Sequence, residues 1–195
     1  NWVSCFQLDN EGYLWIGTQN GLNRFDGVNF KNYHNKPFNS NSIASNWIHN
    51  IVKDETGNFW LGTIGGGLQR FNPYEQVFDK DFLIDGEQPG VIKGISLSNK
   101  IIWVASERGL LMAKKPYKTF KYISKKYYQD ITGLGKEHLI LSNNEGVFLL
   151  NKESNHIRRI SEQNNQTTPE INTDSFFVLE SQNLSKYQIK DSIIN

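Results

Sequence analysis

The sequence predicts an all-β chain made of small four-stranded antiparallel sheets that repeat along its length, on three observations. First, a phrase recurs. Asp9-x-x-Gly12-x-x-Trp15-x-Gly17-Thr18, continuing through Gly21-Leu22-x-Arg24-Phe25, returns as Asp54-x-x-Gly57-x-x-Trp60-x-Gly62-Thr63 and Gly67-Leu68-x-Arg70-Phe71, 45 residues later from tryptophan to tryptophan. Second, Asn20-Gly21 and Asp26-Gly27 punctuate short apolar runs, the strongest short-range hairpin signal. Third, aromatic residues make up 13% of a chain that is 37% hydrophobic, a supply of large flat side chains that suits interlocking sheets better than a helical bundle. A unit of this size cannot bury its own faces and survives only by stacking on neighbours. Four-stranded units arranged radially make a β-propeller.

The elements follow in order. In the first unit, strands are expected over residues 2–8, 13–18, 22–25 and 29–33, with turns at Asp9–Gly12, Gln19–Gly21 and Asp26-Gly27. A polar connector, residues 34–45, leads to strands over 47–53, 58–63, 68–72 and 76–82. The third copy is degraded: strands fit 92–97 and 101–106, Trp103 takes the tryptophan slot and Gly109-Leu110 matches Gly21-Leu22. Its Asp-x-x-Gly turn is replaced by Ser98-Asn99-Lys100. The fourth copy is weaker still, with strands over 129–134, 139–142, 146–150 and 157–161 and Ile140 where the tryptophan should be. Blades are thus expected over 2–33, 47–82, 91–123 and 129–161, with 162–195 a partial fifth blade or a tail. Within that last stretch, 163–168 reads as loop and 176–180 as the start of a fifth unit.

Every part of the phrase has a structural role. The Asp carboxylate accepts backbone N–H groups across the turn, and the Gly supplies a positive φ. The Trp offers an apolar plate worth about 2–3 kcal/mol when buried between sheets. Gly17 and Gly62 leave room for close approach of another backbone. In such a unit the first strand lines the central channel. The turn between strands two and three then shares a face with the connectors between units. That face gathers Gln19, Asn20, residues 64–66, Glu107, Arg108, residues 143–145 and the connectors 34–46 and 83–90.

The phrase Asp-x-x-Gly-x-Leu-Trp-Ile-Gly-Thr-x-x-Gly-Leu-x-Arg-Phe resembles the two-component regulator propeller repeat. Residues 1–75 carry the strong match and the weaker match runs to about 160. The resemblance implies the periplasmic sensor region of a hybrid histidine kinase, most often from Bacteroidetes. Such sensors typically hold two seven-bladed propellers, then an immunoglobulin-like module, a membrane helix and a kinase core. The signal is commonly a glycan fragment. Four blades and a fraction do not close a seven-bladed ring of this repeat size. The chain is therefore expected to be a fragment of a longer, membrane-anchored polypeptide, whose other blades, or another chain, cover its end faces. Homodimerisation is expected through the full-length sensor.

The rest of the sequence argues mainly by exclusion. The formal net charge is +1, so no global field favours nucleic acid or anionic lipid. Cys5 is the single cysteine; no internal disulfide is possible, and a buried inert thiol is expected. No apolar run is long enough to span a bilayer. The histidines His34, His49, His138 and His156 lack metal-site spacing. Residues 62–67 are glycine-rich but lack the Gly-Lys-Ser/Thr ending of a phosphate loop, and Asp9–Gly12 lacks the ligand alternation of a calcium loop. No cofactor, metal or catalytic residue is expected. The stretch Lys114–Tyr128 interleaves cations and aromatics on the outermost strand of the third unit, where lysines protect a sheet edge from pairing; polyanion binding is the other reading.

The expected function is ligand recognition without catalysis. Contact residues are expected to be Gln19, Asn20, Trp47, His49, Asn50, Glu107, Arg108, Asn143 and Asn144. Trp47 offers a flat face for a sugar ring, and the amides and charges offer hydrogen bonds. The alternatives are a structural interaction propeller and a propeller lyase or glycosidase.

Overall fold

The computed structural model describes residues 2–80 and 82–161; of the rest of the chain it gives four further strands and their pairing. These residues form strands and loops, with no helix among them. The first sheet comprises β1 (Val3–Leu8), β2 (Leu14–Thr18), β3 (Gly21–Phe25) and β4 (Phe30–Tyr33). The second comprises β5 (Ile48–Lys53), β6 (Phe59–Thr63), β7 (Gly67–Asn72) and β8 (Val77–Asp79). The third comprises β9 (Ile92–Ser98), β10 (Ile101–Ser106), β11 (Gly109–Lys114) and β12 (Lys121–Ser124). The fourth comprises β13 (Asp130–Leu134), β14 (His138–Asn143), β15 (Gly146–Asn151) and β16 (Ile157–Ser161). A fifth sheet pairs β17 (Thr167–Asn172), β18 (Ser175–Glu180), β19 (Asn183–Lys190) and β20 (Ile193–Ile194). In every sheet the strands pair antiparallel in sequence order. Among the first four sheets, the first strand of each touches the first strand of the next, which is the arrangement of propeller blades around an axis.

The recurring phrase explains each blade. Asp9 Oδ1 accepts the N–H groups of Glu11 and Tyr13, both at 2.9 Å, and its Oδ2 accepts the Trp15 indole N–H at 2.8 Å. Asp54 repeats this with Thr56 N, Asn58 N and the Trp60 indole, and adds Arg70 Nη2 at 2.9 Å. One buried carboxylate thus closes the turn, orients the tryptophan and holds the arginine of the third strand. The glycine after the tryptophan marks where the next blade touches. A methyl on Gly17 would sit 2.8 Å from Ile48 Cγ2, and one on Gly62 would sit 2.6 Å from Ile92 Cγ2. Contacts that short do not occur between real atoms, so a side chain there would push the blades apart.

The core lies between blades. Trp15 and Leu22 face Ile48, Phe59, Leu61 and Phe71 of the second blade. Trp60 and Leu68 face Ile92, Ile102, Val104 and Leu111 of the third. Trp103 and Leu110 face Ile131, Leu139 and Leu141 of the fourth. Trp15, Trp60 and Trp103 are all fully buried. Ile140 occupies the tryptophan slot of the fourth blade, in a cluster with Val147 and Leu149. Alternation along the second strand sends the tryptophan to one side and Leu61, Val104 or Leu141 to the other.

Two departures have physical causes. The outer strand of the second blade, expected over 76–82, ends at Asp79. Past it the chain leaves the ladder and lays Phe82 over Trp60, ring centres 4.9 Å apart, with Ile84 buried beside them. The apolar pattern there serves a cap rather than a strand. The fifth sheet begins at Thr167, inside the stretch read as loop, and takes residues 176–180 as part of its second strand. Residues 81 and 162–166 lie outside the described residues.

The degraded third repeat leaves a defect. Ser98 stands two residues past the cross-strand partner of Trp103, the register position that Asp9 and Asp54 hold in the first two blades. The Trp103 indole N–H is buried without a partner as a result. In the fourth blade Leu134 and Ile140 replace the acceptor and the donor together.

Stability measurements test this directly. Asp54→Ala strands buried donors and is expected to cost about 3 kcal/mol in urea unfolding. Trp60→Phe removes an indole that has an acceptor, whereas Trp103→Phe removes an orphan, so the Trp103 variant is expected to be the less costly; the reverse order would refute the clamp. Gly62→Ala is expected to cost about 1–3 kcal/mol through overpacking against Ile92.

Candidate functional site

Because the strands alternate in direction, the start of each inner strand meets the turn between strands two and three at one end of the blade. Hydrogen bonds fix that meeting. Gln19 N donates to Trp2 O at 3.2 Å, Ile64 N to Trp47 O at 3.0 Å and Glu107 N to Val91 O at 3.0 Å. The connector joining the first two blades is clipped to the same end: Gly21 N donates to Asn46 O, Ser45 Oγ to Ile64 O and Ala44 N to Gln69 Oε1. Turns and connectors therefore share one face, with the channel mouth at its centre.

The inner strands carry an irregularity at that mouth. β1 skips one residue in its pairing between Val3 and Cys5, β5 skips one between Ile48 and Asn50, and β9 skips one between Ile92 and Gly94. The extra residues are Ser4, His49 and Lys93. A β-bulge re-aims the side chain it carries. Ser4 Oγ reaches the neighbouring blade at Ile48 O. His49 Nδ1 lies 3.2 Å from Asn50 Oδ1. The Lys93 ammonium lies 6.0 Å from the centre of the Tyr127 ring, on the following blade.

Asp130 opens the inner strand of the fourth blade. Burial among the inner strands raises the pKa of its carboxyl although part of the side chain still meets solvent. Its bond from Ile131 N, at 2.8 Å, and the charge of His49 oppose that shift without reversing it. The mouth thus draws His49 and Asn50 from the second blade, Lys93 from the third and Tyr127 and Asp130 from the fourth, beside the half-exposed Trp47.

The other expected contact residues are placed differently. Gln19 and Asn20 are exposed on the first blade's turn, where Asn20 N is tied to Thr18 Oγ1. Glu107 accepts from Val91 N at 3.2 Å, and Arg108 is ion-paired with Glu87 of the connector. Asn143 is almost fully buried; its amide donates to Tyr127 O at 2.9 Å and accepts from Glu145 N at 2.9 Å. These three pin connectors to turns. Asn144, next to Asn143, is exposed.

Sequence reasoning missed Lys93, Tyr127 and Asp130. Lys93 precedes its tryptophan by one residue fewer than His49 does, because the third blade's first turn is shorter. Aligning the copies on their tryptophans, with one residue fewer in the third blade's first turn, places Lys93 opposite His49. Among the described residues no three His, Cys, Asp or Glu side chains converge as metal ligands. Burial pushes the Cys5 thiol up to about 11, so it stays protonated at neutral pH.

The two-component regulator propeller family matches residues 1–20 and 42–65. A 42-residue stretch, 22% of this chain, is 50% identical to a protein from Formosa agariphila named histidine kinase P4; it spans only 3% of that protein. The fold is that of the extracellular domains of two putative hybrid two-component systems from B. thetaiotaomicron. The first aligns over 100% of this chain and 30% of its own, with a TM-score of 0.82 at 19% identity; the second aligns over 99% and 27%, with 0.75 at 18%. An ancestral GH74 enzyme shares the fold over 99% of this chain and 30% of its own, with a TM-score of 0.69 at 12% identity. The chain spans less than a third of each of these proteins.

The raised Asp130 pKa gives a pH test. A carboxyl whose folded pKa exceeds its unfolded value, near 3.8, binds its proton more tightly when folded. Its contribution to stability is therefore full below 3.8 and falls as pH rises through the folded value. Asp130→Asn removes that slope, so the variant is expected to gain on the wild type between pH 3.5 and 7 in urea midpoints. A constant difference across that range would contradict the assignment.

Proposed function

We propose that this chain, whose first two blades carry two-component regulator propeller repeats, belongs to the extracytoplasmic sensor of a hybrid two-component histidine kinase and recognises a carbohydrate-derived signal at its channel mouth. The observation that carries the reading is the division of labour between the two parts of each blade. The Asp, Trp and Gly of the phrase are fully used in holding blades together. The inner strands, bulged in the second and third blades, instead present His49, Asn50, Lys93 and Asp130 from three blades, beside the exposed face of Trp47. An imidazole, an amide, an ammonium and a carboxylate suit sugar hydroxyls, and a flat aromatic face suits the apolar side of a sugar ring. A ligand bridging inner strands of adjacent blades would bind one spacing of those blades better than another. Such differential binding is what shifts a dimeric sensor between two states and carries a periplasmic signal across the inner membrane to the kinase.

One observation favours a structural role alongside this. Phe6 occupies the position that Ile51 holds one blade later, yet Phe6 is 73% exposed and Ile51 only 7%. Leu8, Val28 and Phe30 are exposed on the same blade. This face matches the Trp-bearing face of a further blade, from the same polypeptide or another chain.

Calorimetric titration against a panel of oligosaccharides tests the sensor reading. At least one is expected to bind, with Trp47→Ala weakening it roughly fivefold, the worth of about 1 kcal/mol of ring contact. Binding indifferent to Trp47→Ala, or none across the panel, overturns the channel-mouth assignment. Release of product from any glycan by the purified chain would overturn the non-catalytic reading.

A further inference from the structure

The basic stretch of the third blade is only partly absorbed by the fold. Lys115 pairs with Glu55 at 2.8 Å, Lys126 pairs with Glu145 at 2.5 Å and lies over the Phe148 ring, and Lys125 lies 6.0 Å from the Tyr122 ring centre. Lys114 and Lys121 have no carboxylate within ion-pair distance among the described residues. Edge protection needs lysines that point outward along the outer strand. These two instead line a cleft shared with the fourth blade.

The cleft measures about 410 Å³, within the usual range for a small-molecule site. It lies at the end of the blades opposite the channel mouth. There the third blade contributes Lys114 from the end of β11 and Lys121 from the start of β12. The fourth contributes Lys136 and Glu137 from its first turn and Lys152, Glu153 and Asn155 from its last. Ile101 and Met112 form its apolar wall. A second cavity of about 530 Å³ shares Lys114 and Lys121 and adds Lys118.

Two groups in the cleft are buried and under-used. Lys152 is 8% exposed, and its ammonium, with three hydrogens to donate, gives one bond, to Gly135 O at 3.1 Å. Asn155 Oδ1 is buried with no donor. A buried polar atom without a partner costs stability unless something supplies one. The two atoms ask for complementary groups, an anion for the ammonium and a hydroxyl for the amide oxygen.

We propose that the cleft between the third and fourth blades binds a small acidic saccharide. Its carboxylate or sulfate is held by Lys121, Lys136 and Lys152. Its hydroxyls donate to Asn155 Oδ1 and to the carboxylates of Glu137 and Glu153, and its ring lies on Ile101 and Met112. Four lysines against two glutamates select for an anion. The glutamates and the apolar wall select against a bare inorganic one. Burial holds the Lys152 ammonium down to about 8, and a bound anion would raise it again. The site is independent of the channel mouth and stands whether or not that assignment holds.

Calorimetric titration of the protein distinguishes the possibilities. The probes are a uronate-containing disaccharide, a sulfated disaccharide, a neutral disaccharide and inorganic sulfate. One or both acidic sugars are expected to bind, more weakly in high salt. Lys121→Gln and Lys136→Gln are each expected to reduce affinity about tenfold, the worth of one charge-assisted hydrogen bond. Trp47→Ala is expected to leave this binding unchanged. Lys121 and Lys136 are exposed turn and edge residues, so their variants keep the fold even where Lys152→Met does not. Equal binding of inorganic sulfate or of the neutral sugar, binding indifferent to the lysine variants, or no binding of either acidic sugar overturns the proposal.

Discussion

The structure depends on one interaction more than any other, the carboxylate that holds an indole. Asp9 and Asp54 each collect two backbone N–H groups of a tight turn and the N–H of a tryptophan six residues on. The same atoms therefore set the turn, the rotamer of the largest side chain in the blade and the direction in which that side chain points. A buried carboxylate is tolerable only because its lone pairs are filled. Once filled, it converts a floppy hairpin into a rigid plate that can be packed against another.

Blade-to-blade packing follows from that plate. The tryptophan projects to one side, and the residue after it projects to the other to meet the previous blade. The glycine two positions beyond the tryptophan lets an isoleucine of the next inner strand come closer than any side chain would allow. The third and fourth blades show what happens as the phrase decays. Losing the aspartate alone leaves the Trp103 N–H orphaned, and losing both partners, as Leu134 and Ile140 do, leaves an apolar contact without a defect. Packing survives because the slot still holds a large apolar group. The polar geometry of the turns is then free to vary, and in the fourth blade the first and last turns supply Lys136, Lys152 and Asn155.

The residues of the proposed recognition site stand mostly at positions the blade packing does not use. The inner-strand bulges put Ser4, His49 and Lys93 at equivalent places with unlike chemistry; Ser4 ties its blade to the next at Ile48 O, whereas His49 and Lys93 stand at the mouth. The turn residues with the most suggestive chemistry in the sequence, Glu107, Arg108 and Asn143, are instead tied to connectors. A charged or amide side chain at a turn hydrogen-bonds its nearest backbone first, so chemistry read from residue type alone overstates what is available to a ligand.

The sequence by itself determined the all-β class, the four-stranded unit, the period and the burial of Trp15, Trp60 and Trp103. All of these rest on local rules: a turn that needs Gly, a strand that alternates, an aromatic that must be covered. It also placed Trp47, His49 and Asn50 on the inner strand near the mouth. Only the tertiary structure decided that Lys93, Tyr127 and Asp130 join them, because that depends on bulges and on the spacing of separate blades around an axis. It alone showed that Phe82 caps Trp60 instead of extending a strand. It alone showed that Lys121 faces Lys136 and Lys152 across a cleft, since residues from different repeats meet through packing, and no local pattern in the chain records the distance between them.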